Sequence, residues 1–522
     1  MKKQIRATAL ILGMATHSLV AQQTRQTVYE EPVYEAAWSQ PTVMPDRIIL
    51  SLGADPSSTA GVNWRTNTDI KLGFAQLAEA RSEPKFWRES QLLPAHTELL
   101  DATAIKEASV KANNHSVKFT NLKSNTLYAY RVGDGKHWSE WFQFRTASAK
   151  PEKFSFLYVG DAQNNILELW SRLIRKGFQT LPDARFIVHA GDLVSTANDN
   201  TQWQEWFSAG SFIHAMVPSV AVPGNHEYFA DKEGKKRNLT VFWRPQFNLP
   251  DNGPEGMKEN VYYMDYQGVR IIALDSNNGA ENTAMLQWLE NVLKNNPNRW
   301  TILTFHHPVF SGSEGRDNKE WRIKIQPLIN KYKVDLVLQG HDHTYARGRV
   351  PYQDENTMSG INTKDFSGAV YVVSVSGGKM YNLRPNAWEG WEAKRERAGE
   401  NTQLFQTVTV DRDLLSFQSY TATGDLYDSF ELRKDGSGRN KFIDMKSSAI
   451  PERYHHNTIP YEDELPNVTR DKVLAKFPGF KIDNVNAVYD KNKSLNYRLK
   501  LVKDKTAKRI VVDANGQLIS EE

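Results

Sequence analysis

The chain of 522 residues contains no cysteine, so it has no disulfide bond, no thiolate ligand for a metal ion and no cysteine-linked lipid anchor. No segment reaches the roughly 18 continuous apolar residues that a membrane-spanning helix needs. The formal net charge is only +4, and no basic run is interleaved with aromatic residues as on a nucleic-acid-binding surface. We therefore expect no membrane span and no nucleic acid as a stable partner.

The composition is otherwise that of an ordinary globular protein, with 40% hydrophobic and 24% charged residues. At usual domain sizes, a chain of this length folds into about two to four domains. The N-terminus has a basic start, Met1-Lys2-Lys3, and a mostly apolar stretch from Ala7 to Val20. With a plausible cleavage point at Ala21-Gln22, this pattern predicts a signal peptide over residues 1–21 and export to the periplasm or the cell exterior.

Five short clusters of potential metal ligands each follow an apolar run of the kind that forms buried strands. These runs are FSFLYV, ARFIVHA, VPSVAV, WTILTF and VDLVLQ. The clusters are, in order, Gly160-Asp161-Ala162-Gln163, Gly191-Asp192-Leu193, Gly224-Asn225-His226-Glu227, His306-His307-Pro308 and Gly340-His341-Asp342-His343. One such cluster alone is often only a turn. Because ligands gather at the carboxyl ends of strands in open α/β sheets, the five together predict a metal site at one sheet edge.

Asp, Asn and His supply the oxygen and nitrogen atoms that suit Zn, Fe or Mn ions. In these five motifs and their order, the chain resembles the calcineurin-like metallophosphoesterases, and among them the purple acid phosphatases, over about residues 46 to 434. The resemblance implies a phosphoric ester hydrolase with two metal ions (Fe, Zn or Mn) as cofactors. It implies Asp161, Asp192 and His343 as ligands of one ion, and Asp192, Asn225, His306 and His341 as ligands of the other, with Asp192 bridging the pair.

Two positions depart from the family pattern. Most metallophosphoesterases have a His two residues after the first motif Asp, where this chain has Gln163. Purple acid phosphatases have a Tyr three residues after the second motif Asp, where this chain has Ser195. We predict that Gln163 is a further ligand through its amide oxygen, and Asn164 is the alternative. Because the tyrosinate is missing, we expect no purple charge-transfer colour.

The resemblance also implies how the reaction runs. A hydroxide held between the two ions would attack the phosphate in line, so Asp192 is predicted to be catalytic as well as a ligand. His226 would stabilise the transition state or protonate the leaving group; the alternative is that it only orders the Asn225 loop. His307 and Arg316 are predicted to bind substrate, and a solvated loop arginine is the alternative for Arg316.

These features predict an exported, acid-phosphatase-like phosphomonoesterase whose partner is a phosphorylated small-molecule substrate. A phosphodiesterase or nucleotide hydrolase on the same metal core is one alternative. Because Gln163 and Ser195 weaken the first metal site, a degenerate protein that only binds phosphorylated ligands is another.

The pattern along the chain predicts a multidomain protein. After a linker over residues 22–45, short alternating runs over residues 46–147 predict an all-β sandwich. This segment resembles fibronectin type III domains and the N-terminal domain of purple acid phosphatases. The five motifs lie in a metallophosphoesterase domain over residues 151–434, for which we expect an α/β fold arranged as an α/β/β/α sandwich. A second linker over residues 435–470 leads to a small α+β unit over residues 471–522, which resembles PepSY domains.

Overall fold

The computed structural model describes residues 34–230, 237–313, 315–352, 366–384, 387–391, 393–445, 449–453, 465, 467–489, 495–504, 506–513 and 515–521. The predicted signal peptide and residues 22–33 of the first predicted linker lie outside these residues. In the described part of the chain, no helix is long and apolar enough to cross a membrane. The chain divides into two compact units, one over Val33–Thr458 and one that includes Ile459–Glu522.

The first unit begins with eight antiparallel strands. They are β1 (Asp46–Leu52), β2 (Ala60–Thr66), β3 (Phe74–Glu79), β4 (Gln91–Pro94), β5 (His96–Asp101), β6 (Lys111–Phe119), β7 (Leu127–Gly133) and β8 (Phe142–Arg145). One sheet has the order β5-β6-β2-β1 and the other the order β4-β3-β7-β8. Trp64, Tyr128 and Tyr130 pack between them in a shared core. This arrangement confirms the predicted β-sandwich.

The sandwich is continuous with the region that follows it. Ser51 of β1 pairs in parallel with Ser219, and the hydroxyl of Tyr130 donates to the carbonyl of Ala215 at 2.5 Å. Arg47, which is buried, donates to the backbone carbonyl of Asn200 at 2.8 Å. Backbone pairing and buried hydrogen bonds therefore hold the sandwich against the sheet that carries the first three ligand clusters.

The remainder of the first unit contains two mixed sheets and a short hairpin. The first sheet consists of β9 (Phe154–Val159), β10 (Ile187–His189), β11 (Ser219–Ala221), β21 (Leu404–Asp411), β22 (Leu414–Thr421), β23 (Leu426–Lys434) and β24 (Asn440–Asp444). The second consists of β14 (Tyr262–Tyr266), β15 (Val269–Ala273), β16 (Trp300–Thr304), β17 (Leu336–Gln339), β18 (Tyr345–Pro351), β19 (Ser367–Val373) and β20 (Lys394–Gly399). The hairpin is formed by β12 (Tyr228–Ala230) and β13 (Arg237–Leu239). Strands β9, β10 and β11 are parallel to one another, as are β15, β16, β17 and β19.

Alternate residues of the strands face two different layers. In β17, Leu336 and Leu338 belong to the core shared by both sheets, whereas Val337 packs with the helices on the outer face of the second sheet. The helices are α1 (Ser171–Thr180), α2 (Asn200–Gly210), α3 (Phe212–Met216), α4 (Trp243–Gln246), α5 (Thr283–Lys294) and α6 (Lys319–Lys331). Helices α5 and α6 cover the second sheet, and α1 and α2 pack on the first. The layers confirm the expected α/β/β/α sandwich.

The second unit consists of α7 (Asn467–Lys476) and an antiparallel sheet. Its strands are β25 (Lys481–Tyr489), β26 (Leu495–Lys503), β27 (Thr506–Asp513) and β28 (Leu518–Glu521). Apolar residues of the helix and of one sheet face, among them Val473, Leu499 and Ile510, form its core. The turn between β27 and β28 is closed by a hydrogen bond from the N–H of Gly516 to the carbonyl of Asp513 at 2.9 Å. This is the predicted small α+β fold.

A buried histidine in the first unit makes stability depend on pH. The ring of His214 stacks on Trp206 with 4.0 Å between centroids, and burial lowers its pKa to about 3. The unfolded chain binds a proton there below about pH 6.5, whereas the folded protein does not. The stability that comes from burying a neutral His214 is therefore fully present above pH 6.5. It is lost as the pH falls from 6.5 toward 3, by about 1.4 kcal/mol per pH unit.

Replacing His214 by Phe is expected to keep the aromatic packing and to make the loss of stability in acid smaller. The free energy of unfolding is measured with urea at pH 7 and at pH 4.5. The decrease from pH 7 to pH 4.5 should be about 2–3 kcal/mol smaller in His214→Phe than in the wild type. The exposed His96 provides the control, because His96→Phe should leave the difference unchanged. Equal acid sensitivity in His214→Phe and the wild type would contradict this account.

Candidate metal centre

Loops at the ends of five strands bring the predicted ligands together. Three loops follow β9, β10 and β11 of the first sheet, and two follow β16 and β17 of the second. The convergent side chains are those of Asp161, Asp192, Asn225, His306, His341 and His343. The site edge, which the sequence analysis assigned to a single sheet, is thus formed by two packed sheets.

Four of these residues have backbone conformations that favour glycine. The φ angles of Asp161, Asp192, His341 and His343 are 51°, 53°, 76° and 49°. Such conformations cost about 1–3 kcal/mol each and persist where surrounding contacts hold them. Asp161 is one example. Its backbone N–H donates to the carbonyl of Gly191 at 3.1 Å, and its carbonyl accepts from the N–H of Gly377 at 2.7 Å. The loops are therefore held in sharp turns that direct the ligand side chains inward.

The motif glycines permit this close packing. A Cβ atom on Gly224 would lie 2.2 Å from Oδ1 of Asp192, and one on Gly340 would lie 2.6 Å from Oδ2 of Asp161. Both distances are far below van der Waals contact. Glycine is therefore required at these positions because a neighbouring ligand occupies the space of a side chain.

Site two, defined here as Asp192, Asn225, His306 and His341, has His306 at its centre. Nε2 of His306 lies 3.1 Å from Oδ2 of Asp192, 3.2 Å from Oδ1 of Asn225 and 3.1 Å from Nδ1 of His341. Nδ1 of His306 donates to the carbonyl of Ala190 at 2.8 Å, which leaves Nε2 as the nitrogen that faces the group.

The charges in site two fit a cation. Burial opposes a charge on His306, but the carboxylate of Asp192 raises the pKa of its imidazole to about 9. The group therefore favours positive charge where the imidazole nitrogens and the carboxylate converge. A metal ion bound by the same atoms satisfies that requirement, because Nε2 of His306 can donate its lone pair to the ion instead of to a proton.

Site one, defined here as Asp161, Asp192, His343 and Gln163, shares Asp192 with site two. Ligand atoms of Asp161, Asp192 and His343 all lie within 4.8 Å of one another, as do those of Asp192, His306 and His341. Nδ1 of His343 donates to the carbonyl of Lys379 at 2.8 Å, so its Nε2 faces the site. The two groups thus meet at one buried carboxylate.

Gln163 lies at the position from which the family's usual histidine is missing. Its Nε2 is 3.0 Å from Oδ2 of Asp192 and 2.8 Å from Nε2 of His343. Its Oε1 is buried and has no hydrogen-bond partner among the described residues. The amide therefore lies beside the atoms of site one, and its oxygen accepts no hydrogen bond from the described residues.

His226 lies beside Asp192 but belongs to neither site. Its backbone N–H donates to Oδ1 of Asp192 at 2.9 Å, and its ring Nδ1 donates to the carbonyl of Ser195 at 2.6 Å. Ser195, which stands where a tyrosine ligand occurs in purple acid phosphatases, thus contacts His226 through its backbone. Nε2 of His226 is the ring nitrogen that remains available to a substrate.

His307 and Arg316 both contact His341. The rings of His307 and His341 have centroids 4.4 Å apart, and Ser276 Oγ is 2.9 Å from Nδ1 of His307. Burial, followed by the charge on His306, lowers the pKa of His307 to about 3, so the ring is neutral at pH 7. Arg316 donates to the carbonyl of His341 at 2.6 Å, and its side chain remains 28% exposed. It is therefore fixed to the His341 loop.

The sequence analysis gave no role to two residues that support these loops. The carboxylate of Glu227 accepts hydrogen bonds from backbone N–H groups of the Asp192 loop, and burial together with the charge of Asp192 raises its pKa to about 7. Tyr381 packs against His343 with 4.7 Å between ring centroids. Glu227 lies inside a recognised motif, whereas Tyr381 is far from every motif in sequence and carried no signal.

Two family models match the chain. The purple acid phosphatase N-terminal domain matches residues 45–146, and the calcineurin-like phosphoesterase matches residues 154–345, which include every residue of sites one and two. A purple acid phosphatase of Glycine max is 27% identical over 298 residues, 53% of this chain and 62% of that protein. An acid phosphatase type 7 of Mus musculus is 27% identical over 397 residues, 68% of this chain and 82% of that protein.

A solved structure has a similar fold. Purple acid phosphatase PPD1 from yellow lupin (Lupinus luteus) seeds superimposes with a TM-score of 0.62 at 20% identity, and the match covers 76% of this chain and 75% of that chain. At this identity the likeness concerns the fold. The chain spans less than two thirds of the length of the Glycine max relative and about four fifths of that of the Mus musculus relative.

Proposed function

We propose that the chain, whose residues 154–345 match the calcineurin-like phosphoesterase model, is a two-metal hydrolase of phosphate monoesters. The observation that best supports this is the presence of Asp192 in both donor groups. Asp161, Asp192 and His343 would hold one ion, and Asp192, Asn225, His306 and His341 would hold the other. Fe, Zn and Mn ions suit these oxygen and nitrogen donors.

Gln163 completes site one in this proposal. The oxygen and nitrogen of an amide exchange places when its plane is turned over. Turning the Gln163 amide brings its unpartnered Oε1 to the position that lies 3.0 Å from Asp192 and 2.8 Å from His343. Ser195 stands where purple acid phosphatases have the tyrosinate ligand, so we expect the loaded protein to be colourless.

The reaction needs strong electrostatic stabilisation, because phosphate monoesters are among the slowest biological substrates to hydrolyse unaided. When bound, two ions would supply positive charge to the phosphate oxygens and lower the pKa of a water to about 7, so that a hydroxide nucleophile is available near neutral pH. Asp192 is buried, and its carboxylate keeps the two sites together. This is its catalytic role.

His226 is assigned to the leaving group. Its Nδ1 donates to the carbonyl of Ser195 at 2.6 Å, which fixes the ring and leaves Nε2 to carry a proton. A histidine in this position can protonate the leaving oxygen as its bond to phosphorus breaks. The backbone of His226 is tied to Asp192, so the proton donor stays next to the site.

His307 and Arg316 are assigned to substrate binding. The hydroxyl of Ser276 accepts from the backbone N–H of His307 at 3.0 Å and can donate its own proton to Nδ1 at 2.9 Å. The neutral ring then carries its proton on Nε2, where it can donate to a phosphate oxygen. Arg316 adds a permanent positive charge beside the His341 loop, where an anionic substrate binds.

The substrate is a phosphorylated small molecule, which is supported by the names of the acid phosphatase relatives. The protein acts in the periplasm or outside the cell, which the pattern of residues 1–21 supports. N-terminal sequencing of the protein recovered from its host tests the location, because an exported protein should begin near Gln22 and an unprocessed chain at Met1 would contradict export.

Metal content and hydrolysis test the proposed function together. Elemental analysis of protein purified without chelators should give about two transition-metal ions per chain, with no absorption band in the visible range. A phosphomonoester such as phenyl phosphate should be hydrolysed faster than bis(phenyl) phosphate. Faster hydrolysis of the diester would support a phosphodiesterase instead.

Removal of the metal supplies the second part of that test. Chelator treatment should abolish hydrolysis, and adding back Zn²⁺, Fe²⁺ or Mn²⁺ should restore it. A metal content near one or zero that added metal does not raise would contradict the two-metal proposal. It would favour a protein that binds phosphorylated ligands without hydrolysing them.

A further inference from the structure

Glu227 is the last residue of the third motif, yet it belongs to neither donor group. Its side chain is completely buried and points to backbone rather than to the ligand atoms. Oε2 accepts from the N–H groups of Gly224 at 2.7 Å and of Asp192 at 2.9 Å. Oε1 accepts from the N–H groups of Leu193 at 2.8 Å and of Val194 at 3.3 Å. One carboxylate thus satisfies four backbone donors.

These four donors come from two different ligand loops. The loop after β10 carries Asp192, which is shared by both sites, and the loop after β11 carries Asn225, which belongs to site two alone. Oε2 of Glu227 accepts one hydrogen bond from each loop. The carboxylate thus bridges the two loops where they approach so closely that a Cβ atom on Gly224 would meet Asp192.

A carboxylate suits this position better than any neutral group. Both of its oxygens accept hydrogen bonds, as the backbone N–H groups on its two sides require. A glutamine of the same shape offers one oxygen and one NH₂ group. The NH₂ group would face two backbone N–H groups, so one of the two pairs of hydrogen bonds is lost and those donors are left buried without a partner.

We propose that Glu227 is a positioning residue that sets the separation of the two metal sites by fixing the Asn225 loop against Asp192. The inference rests on the proposed two-metal function and adds a residue that binds neither metal nor substrate. Site two has ligands from both loops. Loss of Glu227 should therefore lower the metal affinity of site two more than it lowers the stability of the metal-free protein. Removing a group that orients a metal ligand typically lowers metal affinity by about 10–100-fold.

The test compares Glu227→Gln with the wild type in Mn²⁺ binding, without any measurement of turnover. Titration calorimetry of metal-free protein with MnCl₂ should give two ions per chain for the wild type, with the affinity for one of them reduced about 10–100-fold in Glu227→Gln. Electron paramagnetic resonance of the loaded wild type should show a spin-coupled pair. In the variant, the spectrum should change to that of uncoupled Mn²⁺ at the same loading.

Asp335→Asn is the matched control. Asp335 is also a buried carboxylate that accepts a backbone hydrogen bond, from Thr301 at 2.8 Å, but it precedes β17 at the opposite end of that strand from His341. Asp335→Asn should lower the thermal stability and leave both Mn²⁺ affinities and the coupled spectrum unchanged. If Glu227→Gln does not fold, Glu227→Asp, which keeps the charge on a shorter side chain, is expected to show the same loss of coupling.

The outcomes distinguish this inference from the proposed function. A folded Glu227→Gln or Glu227→Asp protein that binds a coupled Mn²⁺ pair with wild-type affinity overturns the positioning role and leaves the proposed function standing. A wild-type protein that binds fewer than two ions overturns both. Loss of coupling in Asp335→Asn as well would show that any buried carboxylate has this effect, and would also overturn the role of Glu227.

Discussion

Replacing Asp192 by Ala is expected to leave a folded protein that has lost both metal ions and more than about 10³-fold in kcat. Asp192 belongs to both donor groups, and its Oδ2 lies 3.1 Å from Nε2 of His306. The alanine variant lacks both the carboxylate oxygens and their negative charge. Neither site then keeps enough ligand atoms or negative charge to hold a buried cation. Each 1.36 kcal/mol of lost transition-state stabilisation lowers the rate tenfold, and the metal pair supplies several kcal/mol.

The measurement is elemental analysis together with the initial rate on phenyl phosphate, with circular dichroism to establish that Asp192→Ala is folded. Asp275→Ala is the control, because Asp275 is equally buried at the same end of the sheets but accepts hydrogen bonds from Asn277 and Tyr228 instead of facing the donor groups. It should retain two ions. An Asp192→Ala protein with two ions and a normal rate would exclude Asp192 as the shared ligand.

The ligand positions could be predicted because each depends on local sequence. A buried strand such as FSFLYV ends in a Gly-Asp pair, and parallel strands bring such ends to the same edge. The structure confirms the strand at all five motifs. Which motifs lie on which of the two sheets could not be predicted, because strand order depends on pairings such as β9 with β21, whose residues are about 250 positions apart.

Several strands left no usable signal in the sequence. In β4 (Gln91–Pro94) and β5 (His96–Asp101), most side chains are exposed, so the alternation of apolar and polar residues that identifies a half-buried strand is missing. These strands pair at the edges of the two sandwich sheets. Backbone pairing to a buried neighbour, which sequence does not reveal, determines their structure.

The surroundings of the ligands are also set by contacts between distant residues. Tyr381 follows His343 by 38 positions, and the atoms that meet Gln163 belong to residues 29 and 180 positions away. Sequence gives the residue types at the site but not which atom of an amide or imidazole faces it. The domain boundaries and the roles of all the site residues remain predictions, and the signal peptide lies outside the described residues.

Replacing His226 by Asn is expected to lower kcat by about 10²–10⁴-fold for substrates with poor leaving groups and to leave both metal ions bound. The backbone N–H of residue 226, which donates to Asp192, is retained in the variant. What is lost is the ring whose Nδ1 is held by the carbonyl of Ser195 and whose Nε2 can deliver a proton. Metal content and initial rates on ethyl phosphate measure the two effects separately.

The choice of substrate separates the two interpretations of His226. A leaving group that is stable as an anion, such as 2,4-dinitrophenolate, needs no proton, so His226→Asn should slow its phosphate ester by less than about tenfold. Ethyl phosphate, which must leave as an alcohol, should suffer the full loss. If His226 only ordered the Asn225 loop, both substrates would be slowed equally and metal affinity would fall with them. A loss that grows with the basicity of the leaving group therefore identifies His226 as the proton donor, because loop disorder does not depend on the leaving group.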